Sequence, residues 1–424
     1  LSALCFLLQL LTIALFAAFA RYSPDSSPSL CSPQLNCSWR NQDSGPQPHR
    51  FRDVHLQALL GFGLLVAFLS RYGPGSVATS ILVASVTVQW AVLIQGFFFS
   101  LHNGKILVGA QSLVAADFCA AAVLISMGAV LGRLTPTQLL LLALLGVPLF
   151  TLNEYLLLRL MGVSDSGGSL TVHTFGAYLG LAVSRVLHQP RRDTRTEQQD
   201  VGQQPDIFAV VGTVSLWVFW PGFTSASTAG GDAKAWAVLN TYFSLVGSTV
   251  ATFVLLPVLC EESPPRLVQI QDATLASAAA MAMAGEMLVT PFGALATGFL
   301  AGLIPPLGFR FLTPVLSSRL KTQDSCGVHN VHGLPGVLGA LLGTLLSALA
   351  TADAYGGRLE LVFPLVAQGS RTVVDQALYQ LCALPVTLLL AALGGCLTGA
   401  LLNVPGLRSA PHPPSLGSAG LGEV

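Results

Sequence analysis

Two histidines, His173 and His332, lie inside apolar runs, and each follows an aspartate by eight residues, Asp165 in one case and Asp324 in the other. An imidazole can donate and accept hydrogen bonds and can hold or pass a proton. An aspartate just ahead of a helix can meet the free amide groups and the positive end of its dipole. A lone histidine on an apolar face is most simply a satisfied core group. Two in matching contexts point to a pathway instead, because ionisable groups within a membrane are costly and mark transport routes.

The contexts do match. Setting "DSGGSLTVH" above "DSCGVHNVH" gives five identities in nine positions, including Asp165/Asp324, Gly168/Gly327 and His173/His332. His329 and His332 also form an H-x-x-H, but no Cys, Asp or Glu follows at ligand spacing, so no metal is expected. With no nucleophile, metal set or phosphate loop in view, neither an enzyme nor a bound cofactor is expected.

The elements that must carry these residues are membrane helices. Of 424 residues, 52% are hydrophobic and only 9% charged, against roughly 25% charged in a soluble domain. Lys+Arg and Asp+Glu balance at 20 each, so no basic field argues for nucleic acid. Twelve apolar runs are long enough to cross a bilayer, near residues 1–20, 54–70, 75–100, 108–132, 136–160, 169–188, 206–221, 236–259, 268–286, 291–311, 330–350 and 376–402. The first is read as a span and not as a signal peptide, having no small-residue cleavage site before "RYSPDSSPSL". The expected fold class is therefore all-α and polytopic, with a membrane domain over 1–402, an external loop over 21–53 and a short cytoplasmic tail over 403–424.

His173 lies in the sixth run and His332 in the eleventh. An odd separation makes the two halves cross the membrane in opposite senses, the mark of an inverted-topology repeat with its site near the midplane. Eight helical residues put each histidine about 12 Å beyond its aspartate, near the middle of the hydrocarbon core, where the two imidazoles can meet.

With the 21–53 loop outside, the cytoplasmic connections hold Arg71, Arg133, Arg191, Arg192, Arg195, Arg266, Arg310, Arg319 and Lys321, as the positive-inside rule requires. The sequon "NCS" at Asn36 fits that side, since glycan is added only in the lumen. Cys31 and Cys37 share the loop and either pair or remain free thiols. Cys5, Cys119, Cys260, Cys326, Cys382 and Cys396 read as small buried hydrophobes.

The segments "DVHLQALLGFGLLVAFLSRYG", "ADFC", "NEYLLL", "DSGGSLTVHTFGAYLGL", "WPGFTSA", "FGALATGFLAG" and "VHNVHGLPGVLGALLG" follow one another as in the Rh glycoproteins, the animal branch of the Amt/Rh ammonium transporters. The chain resembles that family over nearly its whole length, and its type-B branch most. The resemblance implies transport of ammonia or ammonium, with methylamine as an analogue. It implies a pore histidine pair at His173 and His332 and a phenylalanine gate at Phe118 and Phe223. Ammonium would be recruited at Glu154 and Asp206, with Asp165, and Asp324 as its repeat partner, fixing pore architecture. It further implies a homotrimer with one pore per subunit, in the plasma membrane, on the basolateral surface of epithelial cells.

The chain departs from the family's pattern at Thr224, where an Asn is usual after the gate phenylalanine, and at Ala115, where an Asn usually opens "NAD". The tail after residue 402 is short and Pro/Ser-rich, so cytoskeletal anchoring of the type-B kind is not expected. Two other functions fit the same features: a channel for carbon dioxide, and a membrane scaffold subunit that transports nothing. The complete histidine pair argues against the scaffold.

Overall fold

The computed structural model describes residues 1–23, 73–188, 207–228, 231–259 and 267–404. Eleven of the twelve apolar runs coincide with helices there, and the run at 54–70 lies outside the described residues. The helices are α1 (Ser2–Phe19), α2 (Gly73–Phe99), α3 (Ala110–Val130), α4 (Pro136–Glu154), α5 (Phe175–Val186), α6 (Ile207–Thr224) and α7 (Gly231–Leu259). They continue with α8 (Leu267–Met281), α9 (Pro291–Leu307), α10 (Thr313–Ser318) and α11 (Leu334–Ala348). Three short helices follow, α12 (Ala352–Tyr355), α13 (Arg358–Val362) and α14 (Pro364–Ala367), before the long α15 (Val373–Leu402). Wide π-helical turns over Tyr155–Leu160, Ser169–Thr174, Gly308–Leu312 and His329–Gly333 extend α4, lead into α5, extend α9 and lead into α11.

Residue size decides which helices are central. In α3, "FCAAAVLISMGAV" is buried on every side, and "ASAAAM" at the end of α8 is fully buried as well. Alanine, glycine and serine let neighbouring backbones approach, which is how helices associate where lipid is as apolar as leucine. A Cβ on Gly180 of α5 would lie 2.5 Å from the Ser126 carbonyl of α3, and one on Gly302 of α9 would lie 2.7 Å from the Ser248 carbonyl of α7. At the periphery, α1 buries only Thr12 and touches α2 through Gln9 and Thr12, both bonded to Gln89. In α15, Leu389, Leu393 and Leu397 face outward.

Both halves repeat a Thr-Pro helix start. Thr135 accepts from the Gln138 amide, and Gln138 Oε1 accepts from the Thr135 amide at 3.0 Å. Thr290 accepts from the Gly293 amide at 3.2 Å. Proline at the first helical position loses no intrahelical bond. The strand Ala20–Tyr22 pairs in parallel with Lys105–Val108, which pairs antiparallel with Leu101–His102, tying α1 to the link between α2 and α3.

The structure corrects two expectations. The run read as 268–286 is helical only to Met281, and Glu286 lies in the turn after it. Cys119 is buried, but Cys382 and Cys396 are exposed on the outer face of α15, while Cys5 and Cys326 are half-buried. Among the described residues Cys382 and Cys396 stand exposed on that face. Cys260 lies outside the described residues.

Candidate functional site

The site begins at two glycines. Gly168 (φ +83°) and Gly327 (φ +69°) both adopt left-handed backbone, which costs a side chain but is open to glycine. This turn brings the preceding aspartate back over the new helix end. Asp165 Oδ2 accepts from the amides of Leu170 (3.1 Å) and Thr171 (2.8 Å) and from the Thr171 hydroxyl (3.0 Å). Asp324 accepts from the amides of Val328 and His329, both at 2.8 Å. Burial pushes both carboxyls up to about 6, against these bonds, which favour the charged form. Each turn also bonds the other half through its backbone, from positions that differ by one in the repeat: the Gly167 amide bonds the Ala282 carbonyl, and the Ser325 amide bonds the Ala129 carbonyl.

From these turns the chain enters not ideal α-helix but the π-helical turns over Ser169–Thr174 and His329–Gly333, where the His173 amide reaches back five residues to the Gly168 carbonyl. The expected rise of eight α-helical residues from aspartate to histidine is therefore replaced by a turn and one wide coil. The meeting it forecast still occurs. His173 Nδ1 lies 3.2 Å from His332 Nδ1, with the rings within 8° of parallel. His173 is fully buried and His332 is 5% exposed.

On one side of His173 the aromatic layers continue. Trp220 stacks on the His173 ring at 6.0 Å between centroids, Phe223 lies 5.7 Å from Trp220, and Phe118 meets Phe223 at 4.5 Å with the rings tilted 51°. One column thus joins side chains from α3, α6 and both π-helical turns. Glu154, at the end of α4, accepts from Gln95 Nε2 at 2.9 Å. The same Gln95 nitrogen donates to the Ala115 carbonyl, so the departure at Ala115 leaves a backbone acceptor in use. Thr224 meets the Thr241 hydroxyl at 2.8 Å. The His329 ring meets the Tyr178 ring at 78°, 5.8 Å between centroids. Asp206, Asn36, Cys31 and Cys37 lie outside the described residues.

Sequence reasoning missed Trp220, although it sits in "WPGF", and Asp117, buried beside Phe118. It also missed Glu286, whose carboxylate accepts from Ser164 Oγ at 3.1 Å. A comparison of the two halves beyond the histidine segments is the signal that finds Glu286.

A mostly helical multi-pass fold with two inverted halves and a histidine pair between them defines a membrane channel or transporter. Residues 49–412 match the model of the Ammonium Transporter Family, and the chain belongs to that family. The ammonium transporter Rh type B of Bos taurus is 51% identical over 413 residues, which cover 96% of this chain and 90% of that one. The Homo sapiens protein of the same name is 50% identical over 408 residues, 96% of this chain and 89% of its own. Among solved structures, Rh50 of Nitrosomonas europaea, described as a member of the Rhesus protein family of channels, superposes with a TM-score of 0.68 at 33% identity over 84% of this chain and 87% of that one.

Proposed function

We propose that the chain conducts ammonia across the plasma membrane, drawing ammonium into a vestibule and passing the neutral molecule, or methylamine, along the column that ends at His173 and His332. The observation that carries this reading is the buried contact between the two imidazoles. A cation at the bilayer centre costs anywhere from ~3 to ~15 kcal/mol, whereas ammonia needs only hydrogen-bond partners. Two imidazoles joined Nδ1 to Nδ1 leave one ring a donor and the other an acceptor, so both cannot be protonated at the contact. A dry layer lined by such a pair passes the neutral form and rejects the cation.

In this mechanism Glu154, Asp165 and Asp206 concentrate ammonium, Glu154 and Asp165 at the outer mouth and Asp206, which follows the arginine-bearing cytoplasmic connection, at the inner one. Phe118 and Phe223 close the way to water, and the proton is lost around them. Ammonia then moves past Trp220 to the histidine pair, and Asp324 holds the opposite turn in place. The high identity to ammonium transporters of Rh type B supports this substrate. We further propose a homotrimer, each subunit with its own path, which native mass spectrometry in mild detergent checks by mass.

Ammonia and carbon dioxide fluxes recorded side by side in proteoliposomes, with current measured at the same time, test the proposal. Ammonia-driven alkalinisation well above that of empty vesicles is the expected result. Carbon dioxide flux alone, or no flux, would overturn it.

A further inference from the structure

The two halves of the chain agree closely around the histidines but carry opposite charges at one buried pair of positions. "AVLGR" (Ala129 to Arg133) aligns with "AMAGE" (Ala282 to Glu286), and after one residue in the first half and three in the second a Thr-Pro pair starts α4 and α9; each leading alanine accepts a backbone bond from the aspartate turn of the other half. Arg133 thus stands where the other half has Glu286. Each side chain is 6% exposed. Burying a single charge is expensive unless its partners are in place.

Both are tied to the turn before a histidine. Glu286 accepts from the hydroxyl of Ser164, the residue immediately before Asp165. Arg133 bonds the Ser184 hydroxyl and donates to the Leu187 carbonyl at 2.9 Å, and the Ser184 hydroxyl in turn donates to the carbonyl of Gln323, the residue immediately before Asp324. Glu286 thus reaches the turn that carries Asp165, whose Oδ1, on a residue 5% exposed, has no hydrogen-bond partner. One turn therefore carries two carboxyl groups and an unused acceptor. The other carries a carboxyl group with a guanidinium two hydrogen bonds away.

We propose that Glu286 is a positioning residue for Asp165, and that the Glu286/Arg133 reversal makes the two ends of the path electrostatically unequal, so that the Glu286 end draws ammonium more strongly. This rests on the transport reading above and on the positive-inside orientation, which puts Glu286 at the external end and Arg133 at the cytoplasmic end. Clefts of one sign concentrate counter-ions at their mouths.

The test uses vesicles of known protein orientation and measures half-saturating ammonium from each side. Glu286→Gln keeps the volume and the acceptor for Ser164 but removes the charge. The expected result is an external half-saturation raised about fivefold, with the cytoplasmic value and the maximal rate within twofold of the parent. Glu286→Asp should recover most of the external value. Arg133→Gln should lower the cytoplasmic half-saturation, with Arg133→Lys behaving as the parent and serving as the arm that folds if the glutamine variant does not. Equal shifts from both sides, a loss of maximal rate alone, or no shift in Glu286→Gln would overturn the inference. If the parent protein carries no ammonium, the transport reading itself fails. If the parent carries it and Glu286→Gln keeps the parent's external value, only the asymmetry falls.

Discussion

His173 and His332, 159 residues apart, meet Nδ1 to Nδ1 at 3.2 Å with nearly parallel rings. Each arrives on a π-helical turn that follows a left-handed glycine, so the contact is built by two copies of one local device facing each other. Neither half can make it alone.

Replacing either histidine with alanine should leave folding and trafficking largely intact, because an apolar side chain suits the surroundings, yet reduce ammonia flux or change its charge coupling. An acidic replacement should go further and admit net current by stabilising a cation in passage. Methylamine uptake and current recorded on correctly trafficked variants decide this. Parent rates, pH dependence and current in both alanine variants would leave the pair an architectural feature only.

The Phe118–Phe223 contact should exclude water. Shortening both side chains to alanine removes the tilted ring pair at 4.5 Å and should raise osmotic water permeability of the vesicles severalfold, read by stopped-flow light scattering. An unchanged permeability would take the gate role away from these rings.

At Gly168 the φ of +83° and the neighbouring Val172, 2.5 Å from an added Cβ, leave no room for a side chain. Gly168→Ala should cost about 1–3 kcal/mol and, by moving the turn that carries Asp165 and His173, lower flux as well. Thermal unfolding in detergent beside a flux measurement shows both effects. Gly369, with a φ of +72° but nothing within 4 Å of an added Cβ, is the control, and its alanine variant should lose less stability and no flux.

Asn36 should carry N-linked glycan, because its sequon sits in the polar segment between the first two apolar runs. Endoglycosidase treatment of protein from glycosylating cells should increase its gel mobility, and Asn36→Gln should migrate like the treated protein. Unchanged mobility on treatment would place that loop on the other side or leave the sequon unused.

The sequence by itself determined the class of fold, the inverted repeat and the identity of the histidine pair. Those signals are local: apolar length is read along one segment, and the Asp-Gly-His pattern recurs within nine residues of each half. The tertiary structure decided what no single segment encodes. The stacking of Trp220 on His173, the Thr224–Thr241 contact and the outward aim of Cys382 and Cys396 depend on how helices from different parts of the chain pack. The wide coil that carries each histidine replaced the ideal helix assumed from periodicity, because hydrophobic spacing does not distinguish a bond reaching four residues back from one reaching five. The pairing of Arg133 with Glu286 stayed hidden for a further reason. A repeat is recognised by residues that stay the same, and here the two halves keep the backbone frame while reversing the charge within it.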